Sequence, residues 1–313
     1  MTDLFPPIEP YASGFLDVGD GHRLWWERVG RPGGRPAVFL HGGPGGRIDP
    51  FHRRLFDPDL FDVLLFDQRG CGRSTPRGGL VANTTDHLVA DIERLRCQVM
   101  ATDRWLVVGG SWGSLLGLAY AERHSGAVEA MVLRGLFLGS RAEMDWFYRS
   151  GLDHVFPDKW ERFVEVVPAG QRDDLLAGYR SLLHSEDADI ARRAARSWTL
   201  FEREISSLEY VAPDDPGEEE TDLADARLQL HYFLNGCFVE EGQLLGAVGA
   251  LDGIPAVLIH GRYDMTCPLK FAWQLHRAWP EAAFRVVPAS GHSLGEPAIL
   301  DAVVRAVSGF GGA

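Results

Sequence analysis

Long apolar runs are missing from this 313-residue chain: no window approaches the ~20 apolar residues of a membrane-spanning helix. Cysteine is scarce. The four present (Cys71, Cys97, Cys237 and Cys267) are scattered and show no zinc-like pairing, which points to a reduced, cytoplasmic protein. A basic excess is missing too, since 44 acidic residues face 31 basic ones for a formal net charge of -13. Such a surface repels phosphate backbones and anionic membranes, so neither nucleic acid nor membrane is expected as a partner. Met1 to Tyr11 has no basic start followed by an apolar run, so no secretory signal is expected. There is no low-complexity tract and no internal repeat, and without an H-E-x-x-H or similar ligand set no metal is expected. The acidic run Asp214-Asp215-Pro216-Gly217-Glu218-Glu219-Glu220 reads as a solvated loop.

What is present suits a packed enzyme. Hydrophobic residues make up 45% of the chain, enough for one large core or for a core plus a smaller inserted domain. The first part alternates short apolar runs with helical patterns, as a mostly parallel sheet with crossover helices does. Phe15 to Val29 reads as two strands turned at Gly19-Asp20-Gly21, and Ala37–Leu40, Val63–Phe66, Leu106–Val108 and Ala130–Leu133 as further strands. Thr85 to Met100 has helical spacing, with Leu88, Ile92, Leu95 and Val99 on one stripe. Leu115 to Arg123 reads as a second helix. From about Gly139 to Gly246 no run looks like a buried strand; helical, aromatic-rich segments dominate, among them Ala142–Arg149, Ile190–Leu208 and Leu223–Leu234. Strand character returns at Val257–Ile259 and Phe284–Val287, and a helical pattern closes the chain from Pro297 to Val307. The expected organisation is an α/β core of residues 1–139 and 247–313, interrupted by a helical insertion at 140–246.

The motifs carry acyl-transfer chemistry. Gly109-Gly110-Ser111-Trp112-Gly113 fits G-x-S-x-G between a strand and a helix, a turn that pushes the serine hydroxyl out at the strand's carboxyl end. A serine needs a base to take its proton, and the base should follow the last strand with a carboxylate before it. Asp264 follows the strand Val257–Ile259, and His292, in Ser290-Gly291-His292, follows the strand ending at Val287. Singly, Asp264 reads as a turn or helix-cap residue and His292 as a surface loop histidine; together, in the order Ser, Asp, His, they read as a catalytic triad. The oxyanion would be held by the backbone N–H groups of Trp112 and, from the glycine-rich loop His41-Gly42-Gly43-Pro44-Gly45-Gly46, of Gly43. His41 and His260 read as structural, Arg69 and Arg73 as turn-bracing.

The strings His41–Gly46, Asp67-Gln68-Arg69-Gly70-Cys71-Gly72-Arg73-Ser74, Gly109–Ser114 and Gly261-Arg262-Tyr263-Asp264-Met265, in this order, resemble those of proline iminopeptidases (prolyl aminopeptidases), serine peptidases of the α/β-hydrolase fold. The resemblance spans about residues 10 to 300. It implies a serine hydrolase that releases N-terminal proline from peptides through an acyl-enzyme, with a helical cap and no cofactor. Trp198-Thr199-Leu200-Phe201-Glu202 is similar to the family's cap motif and implies that Glu202 binds the substrate's amino group; taken alone, Glu202 reads as a solvated helix residue. Arg134, Phe137 and Phe147 match pocket positions, Phe137 reading equally as core. Cys267 reads as a pocket thiol or as a small buried residue. The chain departs from the pattern at Gln229, which stands where a second glutamate is expected, and at Phe201 and Phe147 in place of tryptophan and tyrosine. The neutral amide at 229 leaves a second reading open: the same machinery acting on an amide or ester of a non-peptide metabolite.

Overall fold

A computed structural model describes residues 4–210 and 219–311; Met1–Asp3 and Asp214–Glu218 of the acidic run lie outside them. Eight strands form one sheet: β1 (Ala12–Gly19), β2 (His22–Gly30), β3 (Arg35–Leu40), β4 (Phe61–Phe66), β5 (Trp105–Gly110), β6 (Val128–Arg134), β7 (Ala256–Gly261) and β8 (Ala283–Val287). Their order across the sheet is β1-β2-β4-β3-β5-β6-β7-β8. β1 and β2 pair antiparallel, β2 pairs antiparallel with β4, and every other pair is parallel. Helices α1 (Pro50–Arg53), α2 (Thr85–Leu95) and α3 (Trp112–Arg123) connect strands of the first half. Among the described residues, seven α-helices lie between β6 and β7: α4 (Arg141–Tyr148), α5 (Leu152–Val155), α6 (Pro157–Glu165), α7 (Leu175–Leu183), α8 (Ala188–Ile205), α9 (Glu219–Leu234) and α10 (Gln243–Gly246). α11 (Leu269–Ala278) follows β7 and α12 (Pro297–Gly309) follows β8.

The central strands are buried on both faces because alternate side chains point to opposite sides of the pleat. Val38, Leu40, Leu64, Phe66, Val107, Met131, Leu133 and Leu258 join α2, α3 and α11 in one cluster. Ala37, Phe39, Val63, Leu65, Leu106, Val108, Ala130, Val132, Val257 and Ile259 join α12 in the other. A third cluster lies among the helices between β6 and β7, built on Phe147, Tyr148, Phe163, Tyr179, Trp198 and Phe201.

Three elements differ from the sequence reading. The helix expected over Thr85–Met100 is α only to Leu95, and Arg96–Met100 forms a π turn. The wider turn advances the stripe by one residue, so Met100 is buried where Val99 was expected. α11 was not read from the sequence, although Phe271, Ala272 and Leu275 place a buried apolar stripe on it. The helix expected over Leu223–Leu234 forms but begins at Glu219, so Glu219 and Glu220 of the run expected as a loop are helical; α9 is apolar on two sides, Leu228 packing into the sheet's cluster and Ala226 and Leu230 into the third.

Candidate active site

The six parallel strands, β3 to β8, bring their loops together at their carboxyl ends, where open α/β sheets bind ligands. Ser111 sits between β5 and α3 at φ +58°, ψ −125°, a backbone conformation that costs a non-glycine residue of order 1–3 kcal/mol. The surroundings hold it there. Ser111 N–H donates to the Arg134 carbonyl at 3.0 Å, and the Ser111 carbonyl accepts from the Ser114 N–H at 2.8 Å and the Ser114 hydroxyl at 2.7 Å. The flanking glycines are a packing requirement: a Cβ on Gly113 would lie 2.1 Å from the Leu40 carbonyl oxygen, and one on Gly109 would lie 2.4 Å from that of Gly113.

Asp264 and His292 meet beside this turn. The His292 Nδ1 lies 2.7 Å from Asp264 Oδ2, and Asp264 Oδ1 accepts the Cys267 N–H at 2.7 Å. Burial alone would raise the Asp264 carboxyl, but the His292 ring, the His260 ring and the Cys267 N–H outweigh it and hold the group below its ordinary value. An imidazole with Nδ1 committed to a carboxylate keeps Nε2 free to carry a proton. His260 has a separate place. Its Nδ1 accepts the Leu136 N–H at 3.0 Å, so Nε2 carries the proton and donates to the Cys267 carbonyl at 2.7 Å. This neutral, buried ring, its pKa lowered by desolvation, braces the Asp264 loop.

The glycine-rich loop comes in from β3. His41 organises it: Nδ1 lies 2.8 Å from the Gly42 carbonyl, and Nε2 accepts the Gln68 N–H at 3.1 Å. Gly43 lines the cavity at φ +128°. Trp112 buries its indole, whose Nε1 donates to Gln68 Oε1 at 2.9 Å, while its backbone N–H opens the first turn of α3, where N–H groups have no intrahelical partner. Arg69 and Arg73 lie away from the cavity. Arg69 grips Asp91 with two bonds of 2.6 and 2.8 Å, and Arg73 reaches Asp67 and Glu27.

A cavity of about 1400 Å³ opens over Ser111 and is lined by Gly43, Arg134, Glu202, Gln229 and His292. Burial pushes the Glu202 carboxyl up to about 8, partly offset by a hydrogen bond from Gln229. Gln229 is fixed in one orientation: Trp198 Nε1–H donates to its carbonyl oxygen, which leaves its NH2 group for Glu202. Arg134 donates Nη1–H to the His292 carbonyl at 2.8 Å, and its pKa is lowered by burial. Phe137, Phe147 and Cys267 are buried and do not line the cavity. Phe137 joins the sheet's cluster; Phe147 packs on Tyr148 and Phe201 in the third. Cys267 is tied in by its backbone, its N–H bonded to Asp264 and its carbonyl to His260. Thr199, within the cap motif, lines the cavity as well; Ser206, Asp225, Thr266 and Glu296 line it without having been singled out from sequence. Each of the latter sits in a loop or on a helix face whose local pattern carries no chemical motif.

Among the described residues one group of potential metal ligands occurs, Asp264, Cys267 and His292, with their ligand atoms within 4.8 Å of one another. It does not suit a metal. The carboxylate and imidazole are already bonded to each other, and burial keeps the Cys267 thiol well above its ordinary pKa and hence protonated.

Residues 36–297 match the sequence profile described as the alpha/beta hydrolase fold. In three dimensions the chain is similar to an esterase from Exiguobacterium antarcticum, with TM-score 0.66, 16% identity and coverage of 96% of this chain and 100% of that one. It is also similar to a carboxylesterase structure from Nitrososphaera gargenis, with TM-score 0.62 and 17% identity over 95% and 98% of the two chains. At such identities the likeness is one of fold. Sequence relatives say more. The proline iminopeptidase of Xanthomonas citri is 49% identical over 99% of this chain and all of its own. That of Xylella fastidiosa (strain 9a5c) is 47% identical with the same coverage, and that of Arabidopsis thaliana is 46% identical over 95% of this chain and 79% of its own. With the hydrolase sheet, the serine turn and the Asp–His pair in the order these relatives' family requires, this chain belongs to the proline iminopeptidase family of serine hydrolases.

Proposed function

We propose that this chain releases N-terminal proline from small peptides through an acyl-enzyme. Ser111 Oγ attacks the prolyl carbonyl while His292 Nε2 takes its proton, and Asp264 orients the ring and balances its charge. The N–H groups of Trp112 and Gly43 hold the tetrahedral oxyanion. Collapse passes the proton to the leaving amine nitrogen; water, activated by the same imidazole, then frees the proline. The segment 140–246 serves as the cap domain on the core of 1–139 and 247–313, and Glu202 on it pairs with the substrate's amino group. Gln229 orients that carboxylate, while Phe137, Phe147 and Cys267 shape the pocket from behind. A cytoplasmic setting belongs to the same reading, supported by four free cysteines.

The observation that carries the proposal is the 2.7 Å Asp264–His292 contact beside a strained Ser111, under a cavity that also holds Glu202. Release of 4-nitroaniline from proline 4-nitroanilide tests it. Wild type should turn over, and Ser111→Ala should lose at least about 10⁴-fold in kcat. Ser111-dependent cleavage of a 4-nitrophenyl ester with no anilide cleavage would move the activity to another acyl substrate.

A further inference from the structure

The backbone of the histidine loop is held largely by the helical segment between β6 and β7. His292 N–H and Ser293 N–H both donate to the carbonyl of Ser206, at 3.0 and 2.8 Å. Ser206 is the C-terminal cap of α8, the helix that carries Glu202 one turn earlier, and its hydroxyl donates to the Glu202 carbonyl at 2.6 Å. One side chain closes the junction. Glu296 accepts the Gly291 N–H on Oε2 at 2.8 Å and the Leu208 N–H on Oε1 at 3.1 Å. A single carboxylate thus bridges the residue before His292 and the chain just past α8. From the core side the loop receives the Arg134 bond to the His292 carbonyl and the Tyr263 N–H to the Ser290 carbonyl at 2.9 Å. All three N–H donors of Gly291, His292 and Ser293 therefore end on Ser206 or on Glu296.

We infer that Glu296 is a positioning residue: with the Ser206 carbonyl it ties the histidine loop to the end of α8, so that the cap helix holds His292 in register with Asp264 and Ser111. The inference rests on His292 being the general base. Charge-assisted bonds from backbone N–H to carboxylate are the strong kind, and here one group supplies two. Without it the loop keeps its bonds to Ser206 but loses the clip at Gly291 and Leu208. Displacements of the base by about 1 Å suffice to cost up to about 10²-fold in rate.

The test uses diisopropyl fluorophosphate, which reads the serine–histidine pair without any prolyl substrate: the Ser111 Oγ–P bond forms, fluoride leaves, and the imidazole takes the proton. Inactivation rates are compared for wild type, His292→Ala, Glu296→Ala and Glu296→Gln on the plateau of the pH profile. Working on the plateau removes the effect of deleting a negative charge, which shifts only the acid limb. Glu296→Gln keeps the side chain's size and one acceptor, so it is the variant to use should Glu296→Ala melt at the assay temperature. The expected result is inactivation slowed about tenfold in Glu296→Gln and up to about 10²-fold in Glu296→Ala, with kcat for proline 4-nitroanilide falling in step and KM little changed. Glu296 variants that react within twofold of wild type, while His292→Ala is slowed by orders of magnitude, would overturn the inference. Should His292→Ala react like wild type, the assignment of the base itself is what fails.

Discussion

At the scale of single residues, the state of Glu202 decides how an amine is held. Its carboxyl titrates at about 8 because burial disfavours the charged form more than the Gln229 bond favours it. An α-amine has a pKa of ~8. Below that pH both groups are protonated, so forming the ion pair releases one proton and binding tightens as pH rises. Above it both are deprotonated, ion-pair formation takes one proton up, and binding weakens again. KM for proline 4-nitroanilide should therefore pass through a minimum near pH 8, with a slope of up to about tenfold per unit on the acid side. Glu202→Gln should flatten the acid side and raise KM by about 10- to 100-fold, the scale of leaving a buried charge unpaired. A wild-type KM independent of pH from 6 to 9 would count against Glu202 as the amine's partner.

Among elements, β5 and α3 show how a local pattern is enforced by close approach. Gly113 lies in the first turn of α3, where alanine would gain about 1 kcal/mol of helix propensity. Its Cβ would fall 2.1 Å from the backbone oxygen of Leu40, which cannot swing aside as a side chain does. Overpacking of this kind costs about 1–3 kcal/mol or more, so the penalty outweighs the gain. Gly113→Ala should lower the urea midpoint and reduce kcat together, because relief requires the serine turn to move off β3. A variant of unchanged midpoint and rate would show that the contact is not a constraint. The strands and most helices were legible because period-2 and period-3.6 patterns are local. The π turn after Leu95 was not, since it swaps one hydrogen-bonding pattern for another without changing composition.

Across the whole molecule, apolar packing divides into three clusters, one on each face of the sheet and one among the helices between β6 and β7. Phe163 stands at the centre of the third, stacked on Tyr179 at 4.5 Å and Phe201 at 4.4 Å, while Ile259 of β7 lies in the second. Phe163→Ala should cost about 3–5 kcal/mol and Ile259→Val about 0.5–1.5 kcal/mol. With no shared cluster the two should add within about 0.5 kcal/mol in denaturant melts of the double variant. A larger interaction energy would mean that sheet and inserted helices strain one another. The described contacts between these parts are both apolar and polar: Leu228 and Tyr232 pack into the sheet's cluster, Trp146 Nε1–H donates to the Met265 carbonyl at 2.7 Å and Tyr232 donates to Asn83 Oδ1 at 2.7 Å.

The alternation of strands and helices, the turn that presents Ser111 and the chain order of Ser111, Asp264 and His292 are all written in local sequence. Each follows from residues within a few positions of one another: glycines that allow a tight turn, apolar residues at a fixed period, a carboxylate or imidazole just past a strand. The raised pKa of Glu202, the orientation of Gln229 and the bridge made by Glu296 arise from the packing of distant segments. Gln229 is turned by a tryptophan 31 positions away, and Glu296 reaches a backbone N–H 88 positions away. Burial and hydrogen bonding act through space, so groups that look like a solvated helix glutamate and an ordinary loop glutamate in the sequence acquire their chemistry only once distant segments are packed around them.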